Sequence, residues 1–343
     1  MIRVRDFLTL AAGGMLLAAA IAPPPARAAE HLTLQLKWVW QGQFAGYIAA
    51  KERGLYKAQG LDVTIKPGGP DMAPPQVLAA GGADVTVDWL PSALSAREKG
   101  VPMVNIAQMF NHAGQEMVCW RSSGVRTPKD FKGKTIGVAF GGNEFPFLAW
   151  AAKLGYSTTG ANPDIHVLKL GFNVDPLLHH QADCISTESY NEYFQVLDAG
   201  VSPKQLITFS YDDYHTATLE DGLYVLEPRL KNPAFVTEMA HFVAGTIEGW
   251  RWVMADPAAA AKVLVATDPA GVATYNVQLR QIKAIIKLIP GSKHGIGYLR
   301  PAAFDRTVQI LLAGKSNPVI TKKPSASAWT HEVWDKAQQF IKK

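Results

Sequence analysis

The order of strand-like and helix-like segments occurs twice along this chain. In the first run, the alternating segments LTLQLKW, LDVTIKP and ADVTVDW are separated by helical segments, one of which ends KERG. In the second run, KTIGVAF, IHVLKLGF and ADCIST are separated in the same way, and one helical segment ends KLG. Because strands that alternate with helices form mostly parallel sheets, the repetition predicts two α/β lobes of similar design.

The sequence from Asn232 onward is mostly helical, as in FVTEMAHFVAGTIEGWRWVM and VQLRQIKAIIKLI. We expect these helices to pack on the first lobe, because they can hardly form a third core alone. The predicted division is residues 29–122 with 222–343 for lobe one and 123–221 for lobe two, with MVCWRSSG and LYVL as crossing strands. Two such lobes would enclose a cleft that a hinge can close.

The first 28 residues have the pattern of a secretory signal. Arg3 and Arg5 precede the apolar run FLTLAAGGMLLAAAIA, and A-R-A precedes a predicted cleavage after Ala28. An uncleaved anchor is the alternative, but the run has 16 residues, whereas a membrane span needs roughly 20. We therefore expect an exported, periplasmic protein.

Charge and cysteine content limit the classes of partner. The 34 Lys and Arg residues against 29 Asp and Glu give a net charge of +5, and the basic residues are scattered. No nucleic-acid partner is expected from such a surface. Cys119 and Cys184 could form a disulfide in an exported protein. Since both lie in apolar runs, we expect two buried free cysteines, and two cysteines alone make no zinc site.

Motifs of common catalytic sites are missing from the sequence. It contains no G-x-S-x-G, H-E-x-x-H, G-x-G-x-x-G or Walker loop. We therefore predict a binding protein with no catalytic residue, no cofactor and no metal. A sensory receptor domain is a third possibility, although no transmembrane or signalling module follows in this chain.

Ligand contacts are expected where strands end, because open α/β sheets bind ligands outside the carboxyl ends of their strands. In lobe one the candidates are Trp38, Gln43, Asp88 and Trp89. In lobe two they are Gly142, Asn143, Glu144, Glu188, Tyr190 and Asn191. The two groups combine aromatic faces with carboxylates and amides, which suits a heteroaromatic ring that is held by hydrogen bonds.

The stretch AFGGNEFPF bears on the charge of the ligand. A glycine-rich turn between a strand and a helix commonly holds phosphate, but here Glu144 stands at the start of the helix. An ionised carboxylate would repel an oxyanion and would accept hydrogen bonds from an amine or a protonated ring nitrogen. The predicted ligand is a small planar nitrogen heterocycle, neutral or cationic, and nitrate fits badly.

Five of these residues also have a purely structural interpretation. Trp38 and Trp89 could be core aromatics below the hinge, and Tyr190 could pack between the lobes. Glu144 could complement a helix dipole, and Asp88 could cap the helix that follows it. The sequence alone leaves both interpretations open.

Several segments together resemble the NMT1/THI5-like solute-binding proteins of ABC importers. They are LKWVWQGQFAGYIAAKERGLYKAQGLDVTI, PGGPD, GGADVTVDW, TPKDFKGKTIGV, GGNEFPFLAW and ESYNEYFQVLDAG. The resemblance implies a type II periplasmic-binding-protein fold and ABC permease subunits in the membrane as partners, and we expect a monomer. It also implies a thiamine-precursor-like aminopyrimidine as the ligand.

The same resemblance leaves other ligands and one other class of protein open. Relatives of the family bind nitrate, alkanesulfonates or taurine, and a flavin or an imidazole-type ring would also suit an aromatic cleft. Eukaryotic relatives are pyrimidine synthases that depend on pyridoxal phosphate, work inside cells and carry a cysteine-rich segment. The predicted export and the two distant cysteines argue against that enzyme class.

Overall fold

The computed structural model describes residues 29–140, 142–171, 173–290, 292–313 and 318–341. The predicted signal segment, residues 1–28, lies outside this range. Among the helices of the described residues, none combines the length and the apolar character that a membrane span requires.

The first sheet has five strands in the order β2-β1-β3-β10-β4. They are β1 (Glu30–Gln35), β2 (Leu61–Lys66), β3 (Val85–Asp88), β4 (Met103–Gln108) and β10 (Gly222–Leu226). β1 pairs in parallel with β2 and β3, whereas β10 is antiparallel to both β3 and β4. The return strand therefore enters the middle of a sheet that is built from an earlier part of the chain.

The second sheet repeats this arrangement in the order β7-β6-β8-β5-β9. Its strands are β5 (Gln115–Trp120), β6 (Thr135–Ala139), β7 (His166–Leu170), β8 (Cys184–Glu188) and β9 (Leu206–Ser210). β6 pairs in parallel with β7 and β8, and β5 is antiparallel to β8 and β9. The predicted pair of similar α/β lobes is confirmed by these two sheets.

Helices cover both sheets. The α-helices are α1 (Ala45–Glu52), α2 (Leu55–Ala58), α3 (Pro74–Ala79), α4 (Leu90–Glu98), α5 (Glu144–Leu154), α6 (Asp175–Leu178), α7 (Glu192–Asp198), α8 (Pro233–Ala255), α9 (Pro257–Ala266), α10 (Tyr275–Ile285), α11 (Pro301–Leu312) and α12 (Glu332–Ala337). Short 3₁₀ turns lie at Gly42–Phe44, Arg121–Ser123, Pro128–Phe131, Pro203–Gln205, Glu227–Lys231 and Ala326–Ala328. Proline in the first turn starts several of these helices, since proline lacks the N–H that is unpaired there.

The helices of the C-terminal part pack against the first sheet. Leu34 and Val85 of that sheet share one buried core with Phe242 and Trp250 of α8. Gly46 of α1 allows this helix crossing, because a Cβ at that position would lie 2.2 Å from the Trp250 ring. The helical part of the chain thus completes the core of the first lobe.

The chain crosses between the sheets twice, after β4 and again before β10. The predicted division placed residues 29–122 in lobe one, but the strand Gln115–Trp120 is hydrogen-bonded into the second sheet. The first crossing therefore lies before this strand, and the boundary after residue 122 differs from the strand pairing. The LYVL strand does return to the first sheet.

Cys119 and Cys184 form a disulfide, so the expectation of two free cysteines is wrong. β5 and β8 are antiparallel neighbours, and these two residues are direct partners in their register. The sequence could not show this, because the pairing joins strands that are far apart along the chain.

Candidate functional site

A cavity lies between the lobes, where the parallel strands of both sheets end. The residues that line it follow β1 and β3 in the first lobe and β6 and β8 in the second. They are Lys37, Trp38, Gln41, Gln43, Trp89, Asn143, Glu188, Tyr190, Asn191 and Glu192. This is the edge at which sheets of this type commonly hold a ligand.

Most of the predicted contact residues come together here. Those that line the cavity are Trp38, Gln43, Trp89, Asn143, Glu188, Tyr190 and Asn191. Asp88, Gly142 and Glu144 lie beside it without lining it. The residues that the predicted contact set lacked are Lys37, Gln41 and Glu192.

A chain of hydrogen bonds fixes the wall of the first lobe. Gln41 Nε2 donates to Gln43 Oε1 at 2.8 Å, and Gln43 Nε2 donates to both carboxylate oxygens of Asp221 at 2.9 and 3.0 Å. Trp89 Nε1 donates to Asp221 Oδ1 at 2.8 Å. These contacts fix the Trp89 ring at the cavity, and Asp221 is a candidate site residue that the sequence analysis missed.

Asp221 lies immediately before β10, which explains both its place and why it was missed. Since β10 runs antiparallel to β3, its first residue Gly222 pairs with Asp88, the last residue of β3. A residue before an antiparallel strand thus reaches the same edge as residues after parallel strands. Searching the start of the return strand as well would have found it.

Asp88 is fully buried below this wall. Its Oδ1 accepts a hydrogen bond from the backbone N–H of Trp89 at 2.8 Å, and Lys37 Nζ lies 3.8 Å from the same oxygen. Burial raises the pKa of the Asp88 carboxyl to about 6, while Lys37 opposes that shift. Trp89 is the residue before α4, so Asp88 does not occupy the N-cap position that the alternative interpretation gave it.

The wall of the second lobe is rich in hydrogen-bond acceptors. Glu188 is half-buried, and within the described residues its Oε2 has no partner. Burial raises the pKa of the Glu188 carboxyl, and the nearby Glu220 and Glu192 carboxyls raise it further. Glu192 accepts hydrogen bonds at 2.8 Å from the Glu188 backbone N–H and from Asn191 Nδ2. The Tyr190 hydroxyl, which is enclosed, also lacks a described partner.

The glycine-rich turn reaches the first lobe. Gly142 has a φ of +108°, and a Cβ there would lie 2.7 Å from the Ser92 Cβ of α4. Its N–H donates to Glu144 Oε2 at 2.8 Å, so Glu144 is engaged by its own turn at the start of α5. Asn143 lines the cavity, and its Oδ1 is buried with no partner in the described part of the chain.

A second buried carboxyl, Glu220, ties the crossing segments together. It accepts hydrogen bonds from the backbone N–H of Gly114 at 2.8 and 2.9 Å and from that of Gln115 at 3.1 Å. Burial raises the pKa of Glu220 to about 8, and the charge of Asp221 adds to that shift. Both crossings of the hinge therefore meet at one acidic side chain.

The lobes are in contact across the mouth of the cavity. Arg280 of α10 donates to Asp198 of α7 at 2.8 Å, and Gln281 Nε2 donates to Asn191 Oδ1 at 2.9 Å. The free volume that remains in the cavity is about 20 Å³, roughly enough for one water molecule. A planar ring can enter only when the lobes separate.

The cavity combines aromatic, amide, carboxyl and ammonium side chains. The indole side chains of Trp38 and Trp89 line it together with Glu188, Glu192 and Asn143, whose oxygens can accept hydrogen bonds. No cluster of three or more metal-ligating side chains occurs among the described residues. Such a site can stack a ring and accept N–H groups from its edge.

The sequence from residue 41 to residue 260 matches the family model described as NMT1/THI5 like. The chain belongs to this family. The predicted membership is confirmed, and the matched range of the NMT1/THI5-like protein includes residues from both walls of the cavity.

Curated relatives of this NMT1/THI5-like protein are distant in sequence. A protein of Haemophilus influenzae that is named for thiamine biosynthesis is 23% identical over 71% of this chain and 76% of its own length. The formylaminopyrimidine-binding protein of Halalkalibacterium halodurans is 22% identical over 69% of this chain and 71% of its own.

Two further relatives carry other names. The riboflavin-binding protein RibY of Chloroflexus aurantiacus is 22% identical over 86% of this chain and 84% of its own. A 4-amino-5-hydroxymethyl-2-methylpyrimidine phosphate synthase of Schizosaccharomyces pombe is 24% identical over 43% of this chain and 42% of its own.

Solved structures confirm the predicted fold. The periplasmic aliphatic sulphonate-binding protein SsuA of Escherichia coli superimposes with a TM-score of 0.61 and 17% identity, over 82% of this chain and 85% of its own. The NMT1/THI5-like protein therefore has the type II periplasmic-binding-protein fold, with two α/β lobes and a cleft between them.

Proposed function

We propose that this NMT1/THI5-like protein is an extracytoplasmic solute-binding protein of an ABC importer. It captures a small planar nitrogen heterocycle by hinge closure, with a thiamine-precursor-like aminopyrimidine as the preferred ligand. It passes that ligand to permease subunits in the membrane and is itself no enzyme. The observation that carries the proposal is the cavity between the lobes, which is lined by two indole side chains and by two acceptor atoms, Glu188 Oε2 and Asn143 Oδ1, without partners among the described residues.

The charge and polarity of the walls support a ligand with N–H donors. Glu188 Oε2 and Asn143 Oδ1 are enclosed and have no hydrogen-bond partner among the described residues. Leaving such atoms unpaired costs about 1–3 kcal/mol each, and an exocyclic amine or ring N–H supplies the missing donor. The name of the Halalkalibacterium relative, a formylaminopyrimidine-binding protein, agrees with this chemistry.

Bare oxyanions suit the cavity less well. Among the described residues that line it, Lys37 is the only basic one, against Glu188 and Glu192. Each carboxylate that stays ionised in a dry site repels an anion. A nitrate or sulfonate ligand would therefore have Lys37 as its one lining counter-charge among the described residues, against two glutamates.

A flavin is the second candidate ligand. The relative RibY is named as a riboflavin-binding protein, and an isoalloxazine ring would also stack on indole faces. The present cavity is small for either ring, so its size does not choose between them. Binding of an aminopyrimidine and of riboflavin can be compared in one ligand screen.

A thermal-shift screen of the purified protein tests the proposed function. The panel contains 4-amino-5-hydroxymethyl-2-methylpyrimidine, its N-formylated relatives, riboflavin, nitrate, taurine and an alkanesulfonate. A ligand at 100 times its Kd should add about 2.7 kcal/mol of stability. Stabilisation by the aminopyrimidines supports the proposal, whereas stabilisation by the anions alone contradicts it. Appearance of a Schiff-base absorbance with pyridoxal phosphate would point to the synthase class instead.

A further inference from the structure

Lys37 lies at the cavity and bears on the identity of the ligand. The role given to it here rests on the proposed function. Lys37 is 4% exposed and follows β1 by two residues. Lysine is almost never buried to this degree unless it is paired. Its burial at the wall of a ligand cavity therefore needs a partner that compensates the lost hydration.

The contacts that the protein gives to Lys37 leave its hydrogen-bonding capacity largely unused. Nζ lies 3.8 Å from Asp88 Oδ1 and 4.6 Å from the centre of the Trp89 ring. The first distance is that of an ion pair and is too long for a hydrogen bond. An ammonium group has three donors, and no described residue accepts a hydrogen bond from this one.

The position of Nζ places these donors next to the ligand. Lys37 lines the cavity together with Trp38 and Trp89. A Cβ added to Gly142 of the second lobe would lie 3.7 Å from Nζ. The ammonium group thus lies near residues of both lobes and borders the same small cavity as the acceptors of the second lobe.

We propose that Lys37 is a specificity-determining residue that donates a hydrogen bond to an acceptor atom of the ligand. The preferred ligand then has two kinds of polar group. Its N–H donors pair with Glu188 and Asn143, and an oxygen substituent such as a hydroxymethyl or formyl oxygen pairs with Lys37. A heterocycle that offers donors alone binds more weakly.

The competing explanation is that Lys37 only neutralises Asp88. The positive charge of Lys37 lowers the pKa of Asp88, Asp221 and Glu188, which favours their ionised forms. In that case its removal would affect every ligand alike, and removing the charge of Asp88 as well would restore binding. The two explanations therefore differ in how they treat two closely related ligands.

The experiment uses a matched pair of ligands, 4-amino-5-hydroxymethyl-2-methylpyrimidine and 4-amino-2,5-dimethylpyrimidine, which lacks only the hydroxyl. Calorimetry measures both Kd values for the wild type, for Lys37→Met and for Lys37→Met with Asp88→Asn. We expect the wild type to prefer the hydroxymethyl compound by about tenfold or more, as a hydrogen bond to a charged group predicts. Both variants should lose that preference, with less than about a threefold change for the dimethyl compound in the double variant.

Other outcomes separate the two proposals. Equal weakening of both ligands in Lys37→Met, followed by recovery in the double variant, would overturn the role of Lys37 and leave the proposed function intact. If both variants still prefer the hydroxymethyl compound, the role of Lys37 is likewise overturned and the proposed function stands. Failure of the folded wild type to bind either compound would overturn both proposals. Thermal unfolding of each variant without ligand verifies that it is folded.

Discussion

At the scale of single residues, Trp89 has two roles that can be separated by substitution. Its ring lines the cavity, and its indole N–H donates to Asp221 at 2.8 Å. The ring is 1% exposed, so it also contributes to the packing of the first lobe. The proposed stacking on a ligand and the anchoring of the wall would thus involve different atoms of one side chain.

Replacing Trp89 by alanine should weaken binding of the heterocycle by roughly 1–3 kcal/mol, because stacking and apolar burial are lost. Trp89→Phe should keep most of the affinity because it retains an aromatic face, although it removes the hydrogen bond to Asp221. Calorimetry with the best ligand from the screen measures both. The control is Trp252→Ala, a half-buried tryptophan of α8 outside the cavity. Unchanged affinity in Trp89→Ala would mean that Trp89 serves packing only.

The sequence predicted side chains at or directly after the carboxyl ends of parallel strands, such as Trp89 and Glu188, because the rule for strand ends applies to them. It missed Asp221 and Glu220, which precede the antiparallel strand β10. It also missed Lys37, since a lone lysine in a basic protein has no pattern that marks it as buried. Glu144 was predicted from its place after the glycines, but its carboxylate accepts the N–H of Gly142. Its contact with a ligand stays a prediction.

At the scale of elements, the two crossing segments are joined through Glu220. The Gly114 and Gln115 amides lead into β5, and Glu220 stands two residues before β10. Asp221, Glu188 and Asp212 are the neighbouring acids. Because the hinge passes through both segments, the protonation of this carboxyl is linked to the stability of the lobes.

This linkage predicts a pH dependence with a definite sign. Burial raises the pKa of Glu220 from 4.5 to about 8, so the folded protein holds this proton more tightly than the unfolded chain does. The contribution of Glu220 to the free energy of unfolding is therefore largest at low pH and decreases as the pH rises from about 5 to 8. Urea unfolding at several pH values should show this decrease in the wild type relative to Glu220→Gln.

The control for this prediction is Glu52→Gln, which replaces an exposed glutamate of α1. Its unfolding free energy should follow the wild type at every pH. Parallel pH profiles for the wild type and Glu220→Gln would show that Glu220 does not titrate in this range, and the linkage would then be wrong.

Local sequence patterns predicted the positions of strands and helices better than they predicted which strands pair. The strands β1, β3, β6 and β8 and the helices α5 and α7 lie where alternation and helical character placed them. The assignment of the strand Gln115–Trp120 to its sheet depended on pairing with β8 and β9, which no local pattern encodes. The disulfide was missed for the same reason, since Cys119 and Cys184 meet only through that pairing.

At the scale of the whole molecule, contacts between α10 and α7 join the two lobes, and under the proposed hinge closure they would favour the closed arrangement. Arg280 pairs with Asp198 at the surface and also covers the ring of Phe194, whose centre is 4.4 Å away. Exposed ion pairs contribute about 0.2–1 kcal/mol. Under the proposed hinge closure, a contribution of that size would change the ratio of closed to open protein enough to be measured.

Arg280→Ala should therefore weaken ligand binding by roughly two- to fivefold, since the closed form becomes less populated. Small-angle scattering of the ligand-free protein should show a larger radius of gyration for the variant. Arg251→Ala, which removes the same charge from an exposed site on α8, is the matched control. Equal affinity and equal radius for both variants would show that this contact does not influence closure.

The insertion of β10 between β3 and β4 has a consequence for biogenesis. The second sheet consists of consecutive strands, so it can form as soon as that stretch of chain is free. The first sheet is complete only when β10 and the apolar helices after it have been synthesised. Until then the apolar surfaces of its earlier strands stay exposed. We therefore expect the polypeptide to acquire its native form from the middle outward, and to need protection from aggregation during that delay.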